Sequence, residues 1–379
     1  MRVAVVHSFY ESGTPSGENQ VVLEQCAALD SYGHDVRLFR RDTDELRHNT
    51  GYQVRAAATT ITGRGARPNL NTNGWEPDIV HLHNTFPNWS TNWIEDWQDR
   101  LVVTLHNYRT LCAAATLFRN GHECDECLTK STLAAVKHSC YRGSRSQTIP
   151  LAFATRPGGS LNRIPRTARR VVALNEHAQS VFAQEFGRDV DLIPNFVRAA
   201  QRRQDPQPAW AYVGRLDEAK GILNLIQQWP RESQLHVFGT GPQLKAAADA
   251  SARSRGSVVL RGMTSHEELL RLLPSYTGMI VPSLWKEGLP TAILEGLAAG
   301  LPLVVASPVA AAESLARAGA SVTYNPYDEK SLHKALLKVA TSGAMMSRSA
   351  IELHALEYSD SAWLSKINSM YESVAEGPT

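Results

Sequence analysis

Short apolar runs alternate with helical patterns along almost the whole chain. Runs rich in Val, Ile and Leu with little polar alternation are typical of strands buried on both faces. Helical segments between such strands indicate parallel pairing with right-handed crossovers. The pattern therefore predicts two doubly wound α/β domains with five main strands each. The predicted strands are residues 2–9, 35–41, 78–84, 101–107 and 169–175, followed by 210–216, 235–241, 257–262, 278–283 and 301–307.

A polar stretch with two prolines and no apolar period separates the two halves at residues 198–209. Such a stretch predicts a linker between an N-terminal domain at 1–197 and a C-terminal domain at 210–360. Residues 361–379 have apolar positions at helical spacing, and we expect this helix to pack back toward the N-terminal domain. Ligands of parallel sheets bind at the carboxyl ends of the strands. We therefore expect a binding cleft where the carboxyl ends of the two sheets face each other.

Composition narrows the class of protein. The 379 residues are 43% hydrophobic and 20% charged, which suits a soluble globular protein of about two domains. A net charge of +2, without a basic stripe interleaved with aromatic residues, argues against a nucleic-acid binder. No apolar run approaches the roughly 20 residues of a membrane span. The N-terminus reads as a first strand and not as a signal peptide, so we expect a cytoplasmic location.

Basic residues and glycines follow the predicted strands of the second half. Arg215 and Lys220 lie in the loop after one strand, and Gly239 and Gly241 follow the next, where they would allow the backbone to approach a ligand closely. Pro290 fits the first position of a predicted helix. A helix N-terminus with unpaired amides binds anions, and two cations beside it suit a diphosphate. The amides expected to point at the ligand are those of Leu289, Thr291 and Ala292.

Glu287 and Glu295 flank that helix start, with seven residues between them. A carboxylate can recognise a vicinal diol by accepting one hydrogen bond from each of its two hydroxyls. With one acid on each side of a diphosphate, one carboxylate would bind the hydroxyls of a sugar and the other those of a ribose. The pattern therefore predicts a nucleoside-diphosphate sugar as the ligand. Two alternatives remain open. The acids could be solvated and simply complement the helix dipole, or they could be the carboxyl pair of a glycosidase, which has no use for the basic loop.

Several segments together resemble glycosyltransferase family 4. They are "EGLPTAILEGLAAGLPLV", "GRLDEAKG", "FGTGP", "IPNF" and "IVPSLWKEG", all in register. The resemblance covers nearly the whole chain and implies the GT-B fold, two Rossmann-like domains facing across a cleft. It implies transfer with retention of configuration from a nucleoside-diphosphate sugar, such as a UDP-sugar, to a hydroxyl acceptor on a glycan, lipid-linked sugar or small aglycone. No cofactor or metal would be required for the chemistry.

The resemblance also implies roles for single residues. Arg215 and Lys220 would hold the diphosphate, Glu287 the hydroxyls of the donor sugar and Glu295 the ribose, while His106 would lie beside the transferred sugar as part of the catalytic set. One departure is Phe196, which follows Asn195 where the family usually has glycine. The implied donor-binding residues are Gly17, Asn195, Gly214, Arg215, Lys220, Gly239, Gly241, Glu287, Gly288, Leu289, Pro290, Thr291 and Glu295.

Two further histidines, His81 and His83, face the same side of a predicted strand. No third ligand is apparent nearby, so a metal pair is not favoured. They are interpreted as packing or as the lining of the acceptor side. His106 itself has the alternative of a purely structural role.

Four cysteines lie together in residues 112–140, as a C-x2-C pair with one more cysteine about a dozen residues away on each side. Four thiolates at this spacing can form a tetrahedral structural zinc site, which would order a polar loop. Free thiols and disulfides remain open as alternatives. Because the loop directly follows His106, we expect it to shape the acceptor side. The four are Cys112, Cys124, Cys127 and Cys140.

An arginine cluster precedes the last strand of the first half, at Arg163, Arg166, Arg169 and Arg170. It is interpreted as a solvated face, with docking to an anionic lipid or acidic acceptor as the alternative. For the whole chain, a sugar-nucleotide epimerase of the same architecture is the second functional hypothesis. An oxidoreductase is not favoured, because the first strand is not followed by G-x-G-x-x-G.

Overall fold

The computed structural model describes residues 1–10, 17–72, 74–199, 207–287 and 289–377. The chain divides into two compact units. The first consists of Met1–Pro194 with Leu364–Thr379, and the second of Asn195–Trp363. Each unit is built around one six-stranded sheet in which all pairs are parallel.

The first sheet has the strand order β2-β1-β3-β4-β7-β8. All five predicted strands of the first half are present, and a two-residue strand, β8, joins at the edge. Strand β1 is buried at every position after its first residue, as its apolar run requires. The strands are β1 (Arg2–Phe9), β2 (Asp35–Asp42), β3 (Ile79–Asn84), β4 (Leu101–Leu105), β7 (Arg170–Ala173) and β8 (Asp191–Leu192), with a separate hairpin of β5 (Phe118–Arg119) and β6 (His122–Glu123).

Helices follow most of these strands, and a last helix returns from the end of the chain. They are α1 (Gly17–Ser31), α2 (Thr43–Arg47), α3 (Tyr52–Thr62), a 3-10 helix (Asn92–Arg100), α4 (Glu126–Thr129), α5 (Leu133–Lys137), α6 (Arg145–Thr155), α7 (Arg163–Thr167), α8 (Glu176–Phe186) and, from the C-terminus, α15 (Asp360–Ala375).

The second sheet has the order β11-β10-β9-β12-β13-β14. Numbered within this unit the order is 3-2-1-4-5-6, that of dinucleotide-binding Rossmann folds, and it reverses between β9 and β12. All five predicted strands of the second half are present, and β14 was missed by the sequence analysis. The strands are β9 (Ala209–Val213), β10 (Gln234–Phe238), β11 (Val258–Gly262), β12 (Gly278–Val281), β13 (Leu303–Ala306) and β14 (Ser321–Tyr324).

The helices of the second unit alternate with its strands, as parallel crossovers demand. They are α9 (Ile222–Gln228), α10 (Leu244–Arg253), α11 (His266–Leu272), a 3-10 turn (Leu273–Ser275), α12 (Thr291–Ala298), α13 (Ala312–Arg317), α14 (Glu329–Leu353) and a π-helical turn (His354–Tyr358).

The boundary between the units differs slightly from the predicted one. The second unit begins at Asn195, because Phe196 packs against Trp363 at 5.2 Å between ring centroids. The amide of Val197 donates to the carbonyl of Tyr358 at 3.2 Å. Residues 200–206 of the predicted linker lie outside the described residues, and its last residue already belongs to β9.

From Leu364 onward, helix α15 packs within the first unit. The hydroxyl of Tyr371 lies 2.6 Å from Nδ1 of His81, and Asn368 Oδ1 lies 2.7 Å from Nε2 of His34. Tyr371 is fully buried. None of the described helices combines the length and apolar character needed to cross a bilayer.

Candidate active site

The loop after β9 is folded around an aspartate. Both Nε and Nη2 of Arg215 donate to Asp217, at 3.0 and 2.6 Å, and the other carboxylate oxygen of Asp217 accepts from the amide of Lys220 at 3.0 Å. Tyr212 donates its hydroxyl to the carbonyl of Arg215 at 2.7 Å, which fixes the loop to the strand below. The side chain of Arg215 is 61% exposed, so this loop presents its guanidinium to solvent.

Lys220 forms an ion pair with Glu287 from the loop after β12. The second oxygen of Glu287 accepts from the hydroxyl of Ser283 at 2.9 Å. The side chains of Lys220 and Glu287 are 22% and 13% exposed, so Glu287 is not the solvated acid of the alternative interpretation. The two strands β9 and β12 are neighbours at the point where the strand order reverses, which is where open α/β sheets bind ligands.

Glu295 is buried within α12 and is only 4% exposed. One oxygen lies 3.2 Å from Nε2 of His266, at the start of α11, while the other is buried without a hydrogen-bond partner among the described residues. The solvated interpretation is therefore also wrong for Glu295. A buried polar atom without a partner costs about 1–3 kcal/mol, and a ligand hydroxyl would remove that cost. His266 could not be predicted from the sequence, because no motif links it to Glu295, 29 residues further along the chain.

The start of α12 corrects one prediction. Pro290 has φ −58° and ψ 129°, which is extended, so it caps the helix and Thr291 is the first helical residue. The amide of Ile293 donates to the carbonyl of Pro290 at 3.0 Å. The amides of Leu289, Thr291 and Ala292 have no hydrogen-bond acceptor among the described residues. Gly288 lies outside the described residues.

Two predicted glycines have a packing role. A Cβ on Gly239 would lie 1.9 Å from the carbonyl oxygen of Gly214, and one on Gly241 would lie 2.5 Å from that of Leu216. Only glycine therefore lets the turn after β10 pack against the loop after β9. This contact holds the loop of Arg215 in place, whatever further contact either glycine makes with a ligand.

The remaining two donor residues of the prediction lie near the ends of their segments. Asn195 is the first residue of the second unit and is buried. Gly17 begins α1 and is exposed, and residues 11–16 of the glycine loop before it lie outside the described residues.

Four histidines form a row near the carboxyl ends of β1, β3 and β4, in which His7, His81 and His83 are buried and His106 is half-buried. Nε2 of His106 lies 2.9 Å from Nδ1 of His83, whose ring is 4.2 Å from that of His81. The ring of His7 lies 6.3 Å from that of His83. Nε2 of His83 and Nδ1 of His7 are buried and have no partner among the described residues.

Burial keeps all four imidazoles neutral. It lowers the pKa of His7 to about 4 and the pKa of His81 and of His106 to about 3. The pKa of His83 also lies well below its ordinary value, because of burial and of the neighbouring histidines. His106 therefore acts as a neutral hydrogen-bonding group and not as a cation, and one nitrogen is already directed at His83.

A carboxyl that the sequence analysis missed lies at the same edge. The oxygens of Glu18, in the first turn of α1, accept from the side-chain amides of Asn84 and Asn107, each at 3.1 Å. Asn84 also donates to the hydroxyl of Tyr10 at 2.7 Å. Burial raises the pKa of Glu18 to about 7, despite these hydrogen bonds and the nearby Arg109. In the sequence Glu18 directly follows Gly17, but nothing there distinguishes it from an ordinary first-turn acid.

The four cysteines of residues 112–140 are all free thiols. Cys112 is buried and the other three are partly buried. Burial, together with the other three thiols, raises the pKa of Cys127 to about 12, so the four lie near one another. Among the described residues, however, no group of three or more His, Cys, Asp and Glu side chains is arranged to hold a metal ion.

Comparison with known proteins identifies the architecture. The family described as "Glycosyl transferases group 1" matches residues 207–342. The structure of sucrose-phosphate synthase from Thermosynechococcus elongatus superposes with a TM-score of 0.64, at 16% identity over 98% of each chain. The structure of Anabaena HepE in complex with UDP gives a TM-score of 0.61, at 14% identity over 98% of this chain and 100% of that one. The fold is GT-B.

The matched residues of this GT-B chain contain the whole Arg215 loop, the Lys220–Glu287 pair and Glu295. A curated relative, glycogen synthase of Mycobacterium tuberculosis, is 28% identical over 94% of this chain and 86% of its own length. The domain match and this relative support a glycosyltransferase, and neither favours the epimerase.

Proposed function

We propose that the protein is a retaining glycosyltransferase of the family 4 type, which transfers a sugar from a nucleoside-diphosphate donor to a hydroxyl acceptor. One observation carries the proposal. The loops after β9 and β12 bring Arg215, Lys220 and Glu287 to the point where the strand order reverses. Glu295, eight residues after Glu287, has a buried oxygen that has no hydrogen-bond partner among the described residues. UDP is our first candidate for the nucleotide, since it is bound by HepE.

The second unit would bind the diphosphate with its basic loop and the start of α12. Arg215 has guanidinium donors beyond the two that Asp217 uses, and Lys220 has ammonium donors beyond the one that Glu287 uses. Positive groups aimed at the leaving phosphate stabilise the charge that develops there in the transition state. The ion pair with Glu287 keeps Lys220 oriented before the donor arrives.

The two acids would read hydroxyls on either side of the diphosphate. Glu287 is held by Lys220 and Ser283 and would bind the donor sugar, while Glu295 would use its unpartnered oxygen for the ribose. Hydrogen bonds to a carboxylate are stronger than those between neutral groups, so both contacts would favour a sugar nucleotide over a bare diphosphate.

The first unit would bind the acceptor with the carboxyl edge of its sheet. His106 is neutral and can donate or accept one hydrogen bond through the nitrogen that does not face His83. Glu18 has a pKa of about 7 and can exchange a proton near neutral pH. Both groups suit contacts with acceptor hydroxyls, and the names of the relatives suggest that the acceptor is a carbohydrate.

The bond changes follow from retention of configuration. The bond between the anomeric carbon and the phosphate oxygen breaks, and its electron pair stays with the diphosphate. The acceptor oxygen bonds to the same face of that carbon, and its proton passes to the departing phosphate oxygen. No protein nucleophile or metal is required in this scheme, because Arg215 and Lys220 supply the positive charge.

Thermal unfolding with a panel of nucleoside-diphosphate sugars tests the proposal. A ligand present at 100 times its dissociation constant stabilises the folded state by about 2.7 kcal/mol. A true donor should therefore raise the midpoint temperature of unfolding. The donor that binds is then incubated alone. Slow hydrolysis is expected, whereas an epimerised sugar nucleotide would establish the alternative enzyme class, and no shift with any donor would contradict the proposal.

Glu295→Gln is expected to weaken donor binding about tenfold or more, because one charge-assisted contact to the ribose becomes neutral. The unfolding midpoint of the free protein should change little, since the amide can still accept from His266. The readout is the donor concentration at half-maximal thermal shift, with Glu267→Gln on α11 as the control. Unchanged binding by Glu295→Gln would remove Glu295 from the ribose site.

We also propose that Cys112, Cys124, Cys127 and Cys140 hold a structural zinc ion. Burial and, after it, neighbouring thiols of the group raise the pKa of Cys127 and of Cys140, which supports this, although the side chains would have to turn toward a common centre. Protein purified without chelator is expected to contain about one zinc per chain by elemental analysis. The Cys124→Ser/Cys127→Ser variant should lose it, and zinc-free wild-type protein would contradict the proposal.

A further inference from the structure

Three helices of the first unit expose an unusual share of apolar side chains. Fourteen large apolar side chains are exposed among the described residues, and five of them lie on α3, α5 and α6. These helices span only 11, 5 and 11 residues. Single exposed apolar residues are normal, but a concentration of them marks a surface that binds something. The five are Val54, Ile61, Leu133, Ile149 and Phe153.

On α6 the two exposed large apolar side chains lie on one stripe. Arg145, Ile149 and Phe153 follow one another at four-residue intervals, and Arg156 follows directly after the helix. Positions four apart lie on the same face of a helix, so two apolar side chains are flanked by an arginine at each end. The guanidinium of Arg156 lies over the ring of Phe153, 5.3 Å from its centroid. Arg145 and Arg156 form no salt bridge with any described residue.

Helix α3, which packs beside α6, has an exposed apolar face of its own. Its exposed apolar positions, Val54, Ala58 and Ile61, again share one face. Helix α6 contacts both α3 and α5, and the hydroxyl of Ser160, just after α6, donates to the carbonyl of Thr60 on α3. The exposed stripes therefore belong to helices that pack side by side, and we call them the α3–α6 surface.

The charge of the segments that build the α3–α6 surface has one sign. Residues 46–75 and 128–175 contain thirteen Lys and Arg and no Asp or Glu, although the net charge of the whole chain is only +2. Among the described residues, ion pairs with acids from elsewhere join Asp44 to Arg47, Glu95 to Arg163 and Asp191 to Arg170. An excess of positive charge remains around the apolar stripes.

We propose that the α3–α6 surface docks the protein on an anionic phospholipid bilayer. An apolar stripe bordered by cations suits the boundary between headgroups and acyl chains, and two segments that contain thirteen Lys and Arg and no Asp or Glu suit the negative potential of anionic lipids. A free phosphate group would make no use of Ile149 and Phe153. A nucleic-acid surface would require interleaved aromatic residues, whereas Phe153 is the one aromatic among the five exposed apolar side chains.

Docking goes beyond the proposed transfer reaction and does not depend on it. It would place the enzyme beside acceptors carried on lipids. The arginine cluster around residues 163–170 follows α6 in the same acid-free segment and would add long-range attraction to the bilayer.

Sedimentation with vesicles tests the docking proposal. Wild-type protein is expected to bind vesicles of phosphatidylcholine containing about one third phosphatidylglycerol, to bind phosphatidylcholine alone only weakly, and to be released in part by salt. Arg145→Gln/Arg156→Gln should weaken binding to the anionic vesicles by about thirtyfold, at the usual contribution of a cation near the membrane. Ile149→Ser/Phe153→Ser should weaken it at least tenfold and lower the salt-resistant fraction.

Two matched control variants change exposed residues elsewhere. Lys245→Gln/Arg253→Gln on α10 removes two cations, and Leu337→Ser/Met345→Ser on α14 removes two exposed apolar side chains. Both should bind vesicles as the wild type does. The α3–α6 variants should keep the wild-type unfolding midpoint and donor-induced shift, which separates docking from the donor site. Wild-type protein that stays in solution with anionic vesicles, binds nucleic acid instead, or loses no affinity in the α3–α6 variants would overturn the proposal.

Discussion

Lys220→Ala is expected to lower kcat by about a hundredfold or more, the usual loss when one preorganised charge stabiliser is removed from an active site. Lys220 is suited to this role because it is only 22% exposed and its ammonium group is oriented by Glu287. Arg215→Ala should have an effect of the same order, since Arg215 supplies the second positive charge on the same loop. Steady-state kinetics with a donor found by thermal shift provide the measurement.

The difficulty of this experiment is that Lys220→Ala also leaves the partly buried Glu287 without its partner. An uncompensated buried charge destabilises the fold, so reduced activity could reflect unfolding. Lys220→Ala/Glu287→Gln removes both charges and should recover the unfolding midpoint without recovering kcat. Lys245→Ala, at an exposed position on α10, is the control for the loss of a lysine alone. A single or double variant that turns over near the wild-type rate would show that Lys220 does not hold the leaving group.

The strand framework could be predicted because its signal is local. Buried parallel strands need continuous apolar runs, and most of the ten main strands have one, whereas the edge strand β2 mixes apolar and basic residues and has no fully buried position. The short strands β8 and β14 have less of this signal, and Thr323 in β14 is exposed, so periodicity alone does not reveal them. The start of α12 was misplaced by one residue because Pro290 suits both the cap and the first helical position, and only its ψ angle decides between them.

The partners within the candidate site were harder to predict, because they depend on tertiary structure. Lys220 and Glu287 were assigned to the phosphate and to the sugar, yet they lie 67 residues apart and meet as an ion pair. His266 reaches Glu295 from another helix. Glu18 looks like an ordinary first-turn acid in the sequence, and only the amides of Asn84 and Asn107 and its burial give it an unusual pKa.

The histidine row could be predicted only in part. His81 and His83 were expected to face one side of a strand, and they do, with their rings 4.2 Å apart. That His7 and His106 join them follows from the order in which β1, β3 and β4 pair, which periodicity does not specify. The burial of four imidazoles at one sheet edge has a consequence for stability that is independent of the enzymatic function.

The first unit is expected to lose stability steeply below about pH 6.5. The pKa values of His7, His81, His83 and His106 are lowered in the folded state, to about 4 for His7 and about 3 for His81 and His106. As pH falls below the unfolded value of about 6.5, the unfolded chain takes up protons that the folded chain does not. Each histidine then lowers the free energy of unfolding by about 1.4 kcal/mol per pH unit.

One carboxyl opposes this trend. Because the pKa of Glu18 is raised to about 7, the folded state binds its proton at a higher pH than the unfolded chain does, which stabilises the fold as pH falls from about 7 toward 4.5. Glu18 therefore offsets about one histidine of the four, and the net effect between pH 6 and 4.5 remains a loss of stability as pH falls. A stability of 5–15 kcal/mol, typical of folded proteins, would be exhausted within a few pH units.

Urea unfolding measured from pH 7.5 to 4.5 checks this slope. His81→Gln should reduce the slope of the free energy of unfolding against pH by the equivalent of about one proton taken up on unfolding. This holds even if the loss of the contacts with Tyr371 and Thr104 lowers the stability at pH 7.5. His333→Gln, an exposed position on α14, is the matched control and should leave the slope unchanged. Glu18→Gln should steepen it, since the opposing proton is lost. A slope below one proton in the wild type would mean that the buried row accepts protons without unfolding, and the neutral role assigned to His106 would then be wrong.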